Sequence, residues 1–152
     1  MIEEIVKYNE GETYMKTFES GNTVLLVLDV GEDINAALEQ FATQYDNRFA
    51  TISGIGACNF VELNFYDVHE KKYDQKILDE DVELISLMGN LALKEGQPFA
   101  HIHGTFGDSQ YRTWSGHVSK AIVSVTAEIT VVFSDLTVSR EMNEDIGLYL
   151  IP

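Results

Sequence analysis

The stretch HIHGTFGDSQYRTWSGH, residues 101–117, holds three of the four histidines in the chain. His101 and His103 alternate, and alternating residues of a β-strand project to one side, about 7 Å apart along the backbone. The segment between His103 and His117 reads as a long hairpin turning near Gln110. Antiparallel pairing then keeps the sum of paired residue numbers constant, at about 220. In that register His103 faces His117 with Cβ atoms about 5 Å apart, and His101 sits on the diagonal. A slip of one residue would turn His117 to the opposite face. Gly104 and Gly116 flank the cluster, where bulkier side chains would obstruct a ligand.

Three neutral imidazoles suit Zn²⁺ and leave its fourth position open for water, a substrate or a carboxylate. A divalent ion on three neutral ligands keeps its positive charge, which suits it to activate water or hold an anion. Glu128 and Glu83 are the candidate carboxylates, for a fourth ligand or a pocket wall. Two other readings stand beside the metal: histidines that merely belong to a hairpin, and metal-free nucleophilic catalysis. The latter has Ser109, Ser115 and Asp108 nearby in sequence, but no G-x-S-x-G elbow to aim a nucleophile. His69, in DVHEKKYD, reads as solvent-facing.

Working outward, most of the chain reads as strand. TVLLVLDV (23–30) is a continuous apolar run. RFATISGIGA (48–57) leads into CNFVELNFYDV (58–68), where Phe60, Glu62, Asn64 and Tyr66 alternate with Val61, Leu63 and Phe65. DVELISLMGNLAL (81–93) and VSKAIVSVTAEITVVF (118–133) are long and rich in strand formers. Gly54 and Gly56 precede strand-like sequence rather than a helix, so they predict a turn or bulge and not a dinucleotide fingerprint. One helix stands out in EDINAALEQFATQY: Ile34, Leu38, Phe41 and Tyr45 share a face, Asp33 is placed to cap it, and Glu32 complements its positive end. The expected architecture is α+β, a single domain over residues 1–152, mostly antiparallel sheet with one principal helix.

Ten Lys and Arg against 25 Asp and Glu give a formal charge of −15. Such a surface repels phosphate backbones, which demand a basic stripe. The nearest approach to one, Lys71, Lys72 and Lys76, is interleaved with acids and reads as a solvated turn and strand edge. Cys58 is the only cysteine, which rules out an internal disulfide and leaves it as a packed core residue. No apolar run approaches the roughly 20 residues of a membrane span, and the acidic start MIEEIVKYNE is unlike a signal peptide, so the expected location is the cytoplasm.

The order of these segments resembles the plants and prokaryotes conserved (PPC) domain in its stand-alone prokaryotic form. The matching stretches are ISGIGACNFVELNFYD (52–67), VELISLMGNLAL (82–93), GQPFAHIHGTFGD (96–108) and SGHVSKAIVSVTAEITVVF (115–133), preceded by GEDINAALEQFATQY (31–45). The resemblance implies a homotrimer with its His-x-His and Gly-His segments near a subunit interface. His101, His103 and His117 match the family's histidines, where some members hold a metal, and Glu83 and Gly89 match a segment used in assembly. Plant members carry AT-hooks, and prokaryotic ones are commonly regarded as DNA-binding. This chain has no Arg-Gly-Arg-Pro core, and Arg48, Arg112 and Arg140 are its only arginines. Direct DNA contact therefore lacks its physical basis here. The favoured expectation is a homotrimeric binding or interaction module, regulatory in role, with a His-bound metal, zinc being favoured. The alternative is a metal-dependent enzyme or small-molecule binder using His101, His103 and His117.

Overall fold

In the computed structural model, which describes residues 2–8, 13–46 and 48–152, residues 101–117 form the expected hairpin. The elements run β1 (Ile2–Tyr8), β2 (Thr13–Ser20), β3 (Thr23–Leu28), α1 (Ile34–Ala42), β4 (Ala50–Asp67), β5 (Lys72–Leu78), β6 (Val82–Lys94), β7 (Gln97–Gly107), β8 (Thr113–Phe133), β9 (Ser139–Asn143) and β10 (Leu148–Leu150). The architecture is α+β, with one helix among the described residues. All strands belong to one sheet in the order β1-β2-β3-β8-β4-β6-β9-β10, with β5 beside β4 and β7 joining β6 to β8. Among the described residues every strand pairing is antiparallel except that of β6 with β9.

Four strands close on themselves. β4 pairs with β6, β6 with β7, β7 with β8, and β8 returns to β4. β8 achieves this by its length: its first residues serve β7, and the rest serve β4 and β3. Sequence reading starts this strand at Val118, whereas it begins at Thr113, because the return arm of the hairpin runs into it without a break. The apolar side chains of the ring, among them Leu87, Leu91, Ile102, Phe106, Val118 and Val123, are buried and supply most of the hydrophobic drive for folding. Cys58 is buried with them, and burial, with a smaller push from Asp33, raises its thiol to about 12. It is a core residue and not a nucleophile.

The helix seals a gap. β7 and β8 pair only over His103–Gly107 and Thr113–His117, and beyond that their facing edges part. The edge groups left over bond to α1 and the turn before it. The Ala100 N–H donates to Glu39 Oε1 at 3.1 Å, and Asn35 Nδ2 donates to the Val118 carbonyl at 3.0 Å. The Val123 N–H donates to the Glu32 carbonyl, and its carbonyl accepts from the Gly31 N–H, both at 2.9 Å. Sheet edges buried without partners would be costly, so this helix satisfies backbone groups as well as covering apolar ones.

Asp33 caps α1 as expected, its extended backbone letting the carboxylate accept the Asn35 N–H at 3.0 Å. Ile34, Leu38 and Phe41 are fully buried on one face. Tyr45 lies past the helix end but keeps the stripe going by stacking on Phe133, with centroids 4.3 Å apart. Glu32 departs from expectation. Its carboxylate turns back to accept the Asp29 N–H at 2.6 Å, and α1 has no acid in its first turn. Gly54 and Gly56 do mark a bulge, where the β4–β6 register shifts. A Cβ on Gly56 would lie 2.4 Å from the Thr126 carbonyl oxygen. Val61 and Leu63 are buried, but Phe65, on the same expected face, is exposed, because it lies past the last β8 partner of β4 at Asn64. Lys72 and Lys76 sit on exposed β5, and His69 is exposed in the turn before it. Among the described residues, no helix is long and apolar enough to cross a membrane.

Candidate metal centre

The β7–β8 pairing puts His103 opposite His117, Gly104 opposite Gly116 and Phe106 opposite Trp114, the register whose residue numbers sum to 220. Two devices fix it. At the tip, Asp108 accepts the backbone N–H groups of Gln110 and Arg112 at 2.9 and 3.0 Å and the Arg112 Nε at 2.7 Å. Inside the ring, Ile102 and Phe106 are fully buried, so alternation sends His101 and His103 outward. Asp108 is thereby committed to the turn and is no partner for the histidines. Gly104 differs from its expected role: it faces inward, where a Cβ would lie 2.6 Å from the Phe106 ring, so it permits core packing instead of ligand access.

The three rings converge. Their centroids are 5.2 Å apart for His101–His103, 5.2 Å for His101–His117 and 5.4 Å for His103–His117. One nitrogen from each ring lies within 4.8 Å of the others. Zn–N bonds of about 2.0–2.1 Å in tetrahedral geometry place ligand nitrogens roughly 3.4 Å apart, which small side-chain rotations would supply. The electrostatics suit a ligand set. Burial, followed by the charge of Arg140 and the neighbouring rings of His117 and His103, brings His101 down to about 4. Burial, then His103 and Arg140, lowers His117 as well. Neutral imidazoles with open lone pairs are what a divalent ion requires.

Neither candidate carboxylate joins the cluster. Glu128 lies opposite Val27 and Ile55, eleven residues and roughly 36 Å along β8 from His117 at about 3.3 Å per residue. Glu83 pairs with Ala57 and Gly107, at the opposite end of β6 from the Asn90–His101 pair. Both line a shallow exposed surface with Ile55, Ile85 and Val125. Gly89 stands opposite Ile102 with the strands pressed together: its Cβ would lie 2.1 Å from the His101 carbonyl oxygen.

Beside the histidines opens a cavity of about 340 Å³ that sequence reasoning missed. His101 and His117 form one side, and Tyr73, Lys94, Phe99, Arg140 and the β10 residues form the rest. Tyr73 stacks on His117 with centroids 5.8 Å apart. Arg140 is only 7% exposed, and its Nη2 lies 2.8 Å from Asn90 Oδ1 and 3.2 Å from His101 Nδ1. It arrives through the short parallel pairing of β9 with β6, Leu93 with Ser139 and Lys94 with Arg140. Two paired residues so far apart in the chain leave no periodicity to detect.

A family model, that of the Plants and Prokaryotes Conserved (PCC) domain, matches residues 15–134. Among solved structures, a candidate DNA-binding protein from Bacteroides thetaiotaomicron is 30% identical, with a TM-score of 0.87 over 91% of this chain and 96% of the other. A metal-containing protein from Archaeoglobus fulgidus is 34% identical, with a TM-score of 0.80 over 89% of this chain and 96% of the other. The bifunctional protein GlmU of Synechococcus sp. is 31% identical over 68% of this chain, which spans only 16% of that relative's length.

Proposed function

The chain belongs to the Plants and Prokaryotes Conserved domain family, and from that premise we propose that it is a cytoplasmic, self-assembling module in which His101, His103 and His117 hold one divalent metal, zinc being favoured. The observation that carries this reading is the convergence of three imidazole nitrogens within 4.8 Å on a hairpin whose register is fixed at its tip and from inside the ring. The metal-containing relative from Archaeoglobus fulgidus, 34% identical to this chain, supports it. A bound ion would supply Lewis acidity and a positive charge beside the cavity. The chain's own contribution is to orient the three rings, hold His101 and His117 neutral by burial and leave the cavity side open.

Elemental analysis of the purified protein is the test. Near one ion per chain in the wild type, and none after joint replacement of His101, His103 and His117 by Ala, is the expected outcome. A wild type that takes up no zinc, cobalt or nickel even after incubation would overturn it.

Assembly as a homotrimer is supported by a second observation. Ile55, Ile85, Met88 and Val125 are between 51% and 68% exposed, and the first two line one surface with Val125, Glu83 and Glu128. A cluster of this kind on a chain of charge −15 marks a contact surface. Met88 pairs with exposed His103, which brings the apolar face up to the metal ligands. Ile85→Glu is expected to reduce the mass measured by sedimentation to that of one chain, while leaving the circular dichroism of the sheet intact. An unchanged mass would remove this surface from the assembly.

The acid excess opposes direct nucleic-acid contact, and a regulatory role through partners fits it better. A metal-dependent enzyme or small-molecule binder is the second reading. The cavity beside the histidines favours it.

A further inference from the structure

Arg140 raises a problem of charge. Its guanidinium is buried to 7% exposure, and no carboxylate lies within ion-pair distance among the described residues, although the chain carries 25 acidic side chains. Its Nε has no hydrogen-bond partner. Burying a cation without a counter-charge is strongly unfavourable, and native proteins pair such groups or keep them for a ligand. The cavity lining adds Lys94 and no acid, and its other walls are Tyr73, Phe99, Tyr149 and the aliphatic side chains of β10.

Resting on the metal reading, we propose that Arg140 is the receptor for the carboxylate group of a small organic acid bound in this cavity beside the histidines. A planar guanidinium fork matches a carboxylate, while aromatic and aliphatic walls suit a carbon skeleton better than the fully hydrated surface of inorganic phosphate. The histidine contact explains how ligand and metal cooperate. Arginine only donates hydrogen bonds, so its Nη2 faces the lone pair of His101 Nδ1. A metal that takes Nδ1 removes that lone pair, and a metal that takes Nε2 puts the proton on Nδ1. Either way Arg140 loses an acceptor beside the cavity that it lines together with His101. The carboxylate replaces it.

The test is calorimetric titration of the cobalt-loaded protein with benzoate and, separately, with inorganic phosphate, alongside the visible absorption of the cobalt ion. Benzoate is expected to bind the wild type and shift the cobalt spectrum. Arg140→Met should weaken binding by about 10- to 100-fold, the loss of one charge-assisted pair, with cobalt stoichiometry unchanged; Arg140→Lys should fall between. Full cobalt loading without benzoate binding, or equal binding by Arg140→Met, would overturn the proposal and leave the metal reading standing. Phosphate binding as tight as benzoate would overturn the carboxylate assignment. Should no metal bind, the metal reading falls by itself, and Arg140-dependent binding by the metal-free protein still decides the anion site.

Discussion

His103→Ala is expected to weaken metal binding at least 100-fold, on the order of 3 kcal/mol, without disturbing the fold. His103 is the exposed member of the cluster, so its removal opens no cavity in the core. Two imidazoles on a strand and its neighbour cannot complete a tetrahedral set. The same variant should lose the thermal response to chelation. A ligand present at about 100 times its dissociation constant stabilises the native state by about 2.7 kcal/mol, which for a domain of this size is roughly 5–10 °C in Tm. A chelator should therefore lower the wild-type Tm by that amount and leave His103→Ala where it is. Equal Tm values for the wild type with and without chelator, under conditions where elemental analysis finds metal, would show that the ion sits elsewhere.

Gly89→Ala is expected to destabilise the protein by about 3–5 kcal/mol, at the upper end for a single methyl group. The added carbon would meet the His101 carbonyl oxygen at 2.1 Å and the Ile102 Cα at 2.8 Å. These are backbone atoms of the paired strand and cannot rotate away. β6 and β7 must separate locally, and the residue displaced first carries a proposed metal ligand. Reduced metal content should accompany a fall of roughly 10 °C in Tm. Ser86→Ala, at an exposed position on the same strand, is the control and should stay within about 0.5 kcal/mol. A Gly89→Ala protein with wild-type Tm and full metal content would show that the strands are not held this close. The sequence match that links Gly89 to assembly then has a steric companion: the position keeps two strands of one chain in contact.

What could be read from the chain alone was local. The 101–117 register was legible because a hairpin fixes its pairing from its own tip, and Asp108 supplies the anchoring bonds within four residues. The helix face was legible because Ile34, Leu38 and Phe41 repeat at the helical period. Long-range geometry was not. Nothing in VSVTAEITVVF tells how far along a strand Glu128 lies from the histidines, and the strand pattern at Phe65 gives no sign that its β8 partner has ended. Arg140 sits in VSREMNED, a stretch without periodicity, and reaches the site through a two-residue parallel contact. The cavity is thus assembled by parts of the chain that carry no common signal.

The closed ring has a consequence for how the molecule comes apart. Three of its seams are long ladders or are backed by neighbouring strands, while the β7–β8 seam is a short one, five paired residues ending at His103 and His117. A ring fails at its shortest seam, and this one carries the histidines at its open end, as the last teeth of a zip. An ion gripped there joins the two sides where parting would begin. The proposed metal site is therefore also placed to set the protein's lifetime in the folded state: loss of an ion held there would loosen the whole ring and not merely empty a pocket.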